Sequence, residues 1–316
     1  MEYTGTTETT ESTKSNEFFR RVRLAGHPHA RPESMVIRGG ARFTVLTARL
    51  LRLEWSPIGE FTDDATFAFP NRHAESAPAF TVREDGVRLW IETAALTLSY
   101  RLGGGAFTAE NLAITLHVGD ETRTWRPGQP NLGNLGGTRR TLDFTAGDAP
   151  LEPGLVSREG WALFDDSAGV VMRPDDGWVA ARPLRSIQDW YFFGYGHAYA
   201  DALADYTQFG GAVPLIPRYA LGSWWSRFWP YSAADLTQLV ADFADHAIPL
   251  DVLVVDMDWH LPGYWTGYTW NRDLFPDPEA FLAAMHARGL RVTLNLHPAD
   301  GIRPHEAAYH EFAAAL

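Results

Sequence analysis

The stretch "DVLVVDMDWHLPGYWTGYTWNRDLFPDPEAF", residues 251–281, decides how the rest of the chain is read. An aliphatic run, Val252, Leu253, Val254 and Val255, stops at Asp256 and gives way to Asp258, His260 and a crowd of aromatic rings. A short apolar run bounded by polar residues predicts a strand buried on both faces, the habit of parallel sheets covered by helices. In such sheets ligands gather at the C-terminal strand ends, where the loops form a concave surface that tolerates polar groups. Asp256 and Asp258 stand at that end, so the stretch reads as part of a site.

The flanking sequence fits the same sheet. "YALGSWW" (219–225) predicts a first strand, Asp251 to Asp256 a second and "RVTLNLH" (291–297) a third. Between them, Ser232 with Asp235 forms a capping-box pattern ahead of a helix whose Leu236, Leu239, Val240 and Phe243 share one face. Asp277 as cap and Pro278 in the first turn open a second helix, with Phe281, Leu282 and Met285 inward and Gly289 at its end. Three βα-type units predict the opening of a (β/α)8 TIM barrel over residues 216–316. Eight strands close such a barrel, so the expectation is an incomplete catalytic barrel in a fragment or truncated product.

Upstream the period is that of strands. "RFTVLTARLLRLEWS" (42–56) alternates and then runs apolar, and "FTVREDGVRLWIETAALTLSYRL" (80–102), "LAITLHV" (112–118), "GWALFDDSAGVVM" (160–172) and "GWVAARPL" (177–184) follow between Gly, Asp and Pro clusters. Many short strands at this spacing predict an antiparallel β-sandwich over 17–215. Near its end "HAYADALADYTQFGG" (197–211) reads as a helix with Ala202, Leu203, Tyr206 and Phe209 on one face, closed by Gly210 and Gly211. Residues 1–16 are Thr, Ser and Glu with little to bury and are expected to form a disordered tail. The fold class is therefore multidomain, β followed by α/β.

Composition narrows the function. The 316 residues are 45 % hydrophobic and 21 % charged, an ordinary globular balance. A formal charge of −12 repels phosphate backbones, so nucleic acid is a poor partner. No run of eighteen apolar residues predicts a membrane span, and the N-terminus lacks the pattern of a signal peptide. With no cysteine there is no disulfide and no thiolate chemistry, which fits a cytoplasmic location. Lys14 is the sole lysine, a bias that carries no mechanism.

Half of the twelve tryptophans fall between Trp224 and Trp270. Aromatic faces stack on the C–H faces of sugar rings and aspartates accept bonds from paired hydroxyls, so tryptophans with aspartates at strand ends point to carbohydrate. Core packing is the alternative for any one of these rings. Asp256 and Asp258, two apart, point to the same side of an extended strand end, whereas the carboxylates of a glycosidase face each other across the bond, about 5–10 Å apart. Asp256 is thus expected to bind substrate hydroxyls and not to act as nucleophile. "NLHPADGIRPHE" (295–306) gathers His297, Asp300, His305 and Glu306, but its spacing matches no compact metal motif and no metal or cofactor is expected. "GGTRRTLD" (136–143) and "LGGGAF" (102–107) lack the strand and helix of a phosphate loop and read as turns.

"QDWYFFGYGHAYADALADYTQFGGAVPLIPRYALGSWWSRFWPYS" (188–232), "VVDMDWH" (254–260) and "FPDPEAFLAAMHARGLRVTLNLHP" (275–298) resemble family 31 glycoside hydrolases, the α-glucosidase and α-xylosidase group. "RFTVLTARLLRLEWSPIGEFTDDATFAF" (42–69) resembles the start of that family's N-terminal, galactose-mutarotase-like sandwich. The resemblance implies a retaining α-glycoside hydrolase acting on oligosaccharides, with Asp256 binding hydroxyls in the −1 subsite and Met257 and Trp259 lining it. It also implies an aromatic wall from Trp225, Phe228 or Trp229, a pocket-lining Asn295, and Trp265 and Trp270 shaping the leaving-group side. In this family the nucleophile and the acid/base aspartate come later, so both are expected beyond Leu316 and no catalytic residue within the chain. A carbohydrate-binding protein without hydrolysis is the alternative, and a metal-dependent hydrolase using the His297–Glu306 loop a third.

Overall fold

The computed structural model describes residues 26–139, 141–173, 178–182 and 187–315. The tail expected over 1–16 lies outside them, as does part of "GWVAARPL". The chain divides into two compact units, Met1–Val213 and Pro214–Leu316.

The first unit runs through strands β1 (Met35–Arg38), β2 (Ala41–Val45), β3 (Leu50–Trp55), β4 (Ala65–Thr66), β5 (Phe80–Glu84), β6 (Arg88–Thr93), β7 (Leu96–Arg101), β8 (Leu112–Val118), β9 (Glu121–Trp125), β10 (Ala162–Asp165), β11 (Val171–Met172), β12 (Val179–Ala180) and β13 (Gln188–Phe193). Two five-stranded antiparallel sheets result, ordered β1-β2-β3-β13-β10 and β5-β6-β7-β8-β9, with a small third sheet β12-β11-β4. Alternation sends Phe43, Val45, Leu51 and Leu53 of the first sheet into one core with Leu89, Ile91, Leu98, Leu112 and Ile114 of the second.

The opposite face of the first sheet is buried as well. There Arg42 pairs with Glu54 at 2.7 Å, Arg52 and Arg182 converge on Asp189 at 2.8 and 2.9 Å, and Arg72 donates to the Tyr191 hydroxyl at 2.6 Å. Phe69 lies flat on Tyr191 with ring centroids 3.4 Å apart. Beside them helix α1 (Tyr199–Gly210) packs Ala202 and Phe209 inward and ends at Gly211, whose φ of 88° is costly for any residue with a Cβ. Leu203 departs from expectation: it is 52 % exposed, because the buried stripe of α1 is narrow and Ala202 and Phe209 fill it with Tyr206.

The second unit holds a parallel sheet of β14 (Trp224–Trp225), β15 (Val252–Val255) and β16 (Arg291–Leu294), in that order. The first strand is shorter than expected because Arg218–Leu221 winds into a 3-10 turn. Helix α2 (Ala233–Asp245) starts on a reciprocal capping box in which Ser232 accepts from the Asp235 N–H and the Asp235 carboxylate accepts from the Ser232 N–H. Helix α3 (Pro278–Ala287) is capped by Asp277, and the chain turns out of it at Gly289, φ 84°. Leu253 and Val255 face these helices in a core with Leu236, Val240, Phe275, Phe281 and Met285. Val254 and Asp256, being of the other parity, belong to the opposite face of β15. No helix among the described residues is long and apolar enough to cross a membrane.

Candidate functional site

Asp256 is the first residue past β15. Its backbone stays extended and its side chain N-caps a single 3-10 turn, Met257–Trp259. Oδ1 accepts the Met257 N–H at 2.7 Å and the side-chain amide of Asn295 at 2.8 Å. Asn295 occupies the matching place past β16, and its own N–H reaches the Val255 carbonyl at 2.9 Å, extending a register in which Val255 pairs with Leu294. Asp256 is therefore oriented through one oxygen, while Oδ2 accepts nothing from the described residues. A carboxylate so held can accept hydrogen bonds from a ligand without first reorganising.

A narrow cleft adjoins this carboxylate, lined by Arg227, Trp229, Tyr231, Asp256, Asp258 and Trp259 among others. Both aspartates reach it although the chain turns between them, since the 3-10 turn leaves Asp258 on its rim. Arg227 lies over the Trp229 ring at 5.3 Å and donates to the Tyr231 hydroxyl at 3.2 Å, placing a cation and two aromatic faces beside two carboxylates. Arg227 and Tyr231 escaped the sequence reading; their signal was the aromatic and basic run "SRFWPY" directly after the first strand.

The other expected residues divide by environment. Trp259 is buried, and its indole N–H donates to the Asn295 carbonyl at 2.8 Å, so it ties the ends of β15 and β16 together. Trp270 packs between Trp259 and Phe275, with centroids 5.1 and 5.3 Å away, on the core side. Trp225 is half-buried edge-on to Tyr231 at 5.3 Å. Met257 is half-buried on the turn. Phe228 is 69 % exposed and does not line the cleft. Trp265 is 57 % exposed, its ring 4.2 Å from that of His297.

The loop after β16 is tied to the loop after β15 through Glu306. No group of three or more His, Asp or Glu placed to hold a metal ion occurs among the described residues. Glu306, 4 % exposed, accepts from the Tyr268 N–H at 3.2 Å and the Thr269 hydroxyl at 2.5 Å.

Residues 213–316 match the model of the glycosyl hydrolases family 31 TIM-barrel domain. Among curated proteins, α-xylosidase XylQ of Lactiplantibacillus pentosus is 34 % identical over 110 residues, which is 34 % of this chain and 14 % of that protein. The α-xylosidase of Saccharolobus solfataricus is 32 % identical over 157 residues, 47 % of this chain and 20 % of that protein. The matches thus span a minor part of these relatives' own length. Among solved structures, a soil-metagenome GH31 α-xylosidase complexed with xylose superimposes with a TM-score of 0.58 at 15 % identity, covering 89 % of this chain and 48 % of that one. A xylosidase from Aspergillus niger gives 0.58 at 16 % identity, covering 89 % and 46 %. The strand-end aspartate, the capped helices around it and these matches all fall in the same segment: residues 213–316 are similar to the TIM-barrel domain of the family 31 glycosyl hydrolases.

Proposed function

We propose that this chain supplies the sugar-binding part of a retaining α-glycoside hydrolase, α-glucosidase-like, that removes terminal α-linked sugars from oligosaccharides. The observation that carries the reading is Asp256. It is a strand-end carboxylate pinned through Oδ1 with Oδ2 free beside a cleft of aromatic rings, the arrangement that grips vicinal hydroxyls and stacks on a ring face. On this reading the antiparallel first unit is a galactose-mutarotase-like sandwich and the second the opening three βα units of the catalytic barrel. Asp256 and Asp258 border one cleft from a single turn, so they are not the facing pair that double displacement requires. The chain alone accordingly binds sugar without cleaving it.

The same observation allows a protein that binds carbohydrate and has no hydrolytic role, and one experiment separates the two. Saccharide binding to the 316-residue chain is titrated by calorimetry for the parent, Asp256→Ala and Asp258→Ala, together with turnover of an aryl α-glucoside by the full-length protein that contains the chain. The hydrolase reading expects Asp256→Ala to lose charge-assisted bonds of about 1.5–3 kcal/mol each and kcat/KM to fall with it. Asp258→Ala should cost less. Parent-like binding and turnover in Asp256→Ala would falsify the assignment.

A further inference from the structure

The two sheets of the first unit part at one end of the sandwich around a cavity of about 370 Å3, within the range of small-ligand pockets, about 300–1,000 Å3. One wall comes from the first sheet: the β1–β2 turn at Arg38, Gly39 and Gly40, and the end of β3 at Trp55, Ser56 and Pro57. The other comes from the second sheet, where Tyr100 is followed by the glycine-rich turn that leaves β7. Both walls are fastened. The Ser56 N–H donates to the Gly40 carbonyl at 2.8 Å, and a Cβ at Gly40 would collide with the Ser56 carbonyl oxygen, so glycine is what lets the turn close on β3. Opposite, the Tyr100 hydroxyl donates to the Gly105 carbonyl at 2.9 Å, and the Asn111 amide to the carbonyls of Gly104 and Ala106 at 2.9 and 2.7 Å. Polar groups on the first wall are nevertheless left over. Ser56 is 1 % exposed, yet its hydroxyl has no hydrogen-bond partner among the described residues, a state that folded proteins avoid unless something else meets the group. The indole N–H of half-buried Trp55 donates to none of them either. Arg38 gives Nε to Glu84 at 2.5 Å and Nη1 to the Ile37 carbonyl at 2.7 Å, which leaves Nη2 without an acceptor among the described residues.

We infer that this cavity is a saccharide site of the first unit's own, built without any residue of the Asp256 cleft, and that it takes an uncharged pyranose ring. The leftover groups are two N–H donors and a hydroxyl that can donate or accept, a set that suits a ligand rich in hydroxyl and ether oxygens. Glu84 answers the charge of Arg38, which leaves the cavity no net cation and favours a neutral ring over a carboxylate or phosphate. Trp55, Pro57 and Leu102 supply apolar surface for the C–H face of that ring. Core packing accounts for the body of Trp55, which rests against the sandwich core. It does not account for a buried hydroxyl left unmet in the wall of an open cavity.

The test follows the nitrogen–proton NMR signal of the Trp55 indole, identified by its absence in Trp55→Phe, while the 316-residue chain is titrated with methyl α-glucoside, methyl α-xyloside, maltotriose and, as a plain anion, acetate. A sugar should shift the signal saturably in the parent and equally in Asp256→Ala, because no residue of that cleft takes part. Ser56→Ala and Arg38→Ala should each weaken this binding roughly 3- to 10-fold. Ser56→Ala should at the same time melt at or above the parent temperature, since it removes a buried hydroxyl that the fold leaves unpaired. A lower melting temperature with affinity unchanged would make Ser56 structural and overturn the site. A signal that no sugar moves, or that acetate alone moves, overturns it too and leaves the Asp256 reading standing. A shift abolished by Asp256→Ala assigns the sugar to the cleft of the second unit and removes it from this cavity.

Discussion

Asp256 and Asn295, at matching positions on the ends of neighbouring parallel strands, are joined by a 2.8 Å hydrogen bond from side-chain amide to carboxylate Oδ1. The amide therefore orients the carboxylate that faces the cleft. Asn295→Ala should weaken saccharide binding through a misdirected Asp256. A double-mutant cycle with Asp256→Ala should return a coupling of about 0.5–3 kcal/mol, the range for residues in direct contact. Additive losses in calorimetry would show that the two act separately.

The ion lattice of the first unit sets a pH dependence. Burial alone would raise Asp189, but the attraction of Arg52, with Arg72 and Arg182 behind it, holds its carboxyl down at about 2 from an ordinary 3.8. An acid whose folded value is depressed adds stability above its unfolded value and loses it as pH falls through the folded one, here between 3.8 and about 2. The loss should be about 2 kcal/mol. Burial raises Asp166, which is therefore a cost at neutral pH that protonation relieves first. Urea midpoints of the first unit should stay level or rise slightly on mild acidification and then fall below about pH 4; a midpoint independent of pH in that window would remove Asp189 from the account.

Removing one partner of that lattice should hurt more than acid does. Asp189→Asn removes the buried carboxylate that Arg52 and Arg182 share and leaves them only Glu54 at 3.1 Å and Asp166 at 3.6 Å as nearest carboxylates, and a loss of about 3–5 kcal/mol is expected. Arg38→Ala, a partner of Glu84 at the surface, should cost under about 1 kcal/mol. Equal losses in chemical denaturation would contradict the burial argument.

In the second unit Met285→Ala empties a site with no exposure, in the core that α3 shares with Leu236, Leu253 and Phe281, and should cost about 2–5 kcal/mol. Ser232→Ala, which opens the capping box of α2, should cost about 0.5–2 kcal/mol. Both should lower the exchange protection of Leu253 and Val255 more than that of Leu98 and Ile114; uniform loss across the two cores would mean the units do not unfold separately.

The caps and strand cores were legible because their signals are local: Ser232 and Asp235 are three residues apart, and the run 252–255 is a single unbroken stretch. The alternation in 42–56 places Phe43 and Leu53 inward but carries no sign that Arg42, Arg52 and Glu54 are covered too, because their partners Asp63, Asp189 and Tyr191 come from distant segments. The site follows the same rule. Asp256 was legible from its place at a strand end, whereas Asn295 as its tether, and Glu306 as the tie to Thr269, 37 residues away, depend on pairings that no periodicity announces. Six neighbouring tryptophans looked alike in sequence, and only burial separates Trp259 and Trp270, which brace the strand ends, from Trp265, which does not.

The double burial of β2 and β3 has a consequence for how the first sheet finds its pairing. A strand with one wet face can slip by one residue at the cost of a single mismatched surface. Here a slip would thrust Arg42 and Arg52 into hydrocarbon and bring Phe43 and Leu53 among the paired charges. Each face thus proofreads the other, and the misaligned sheet is penalised twice over.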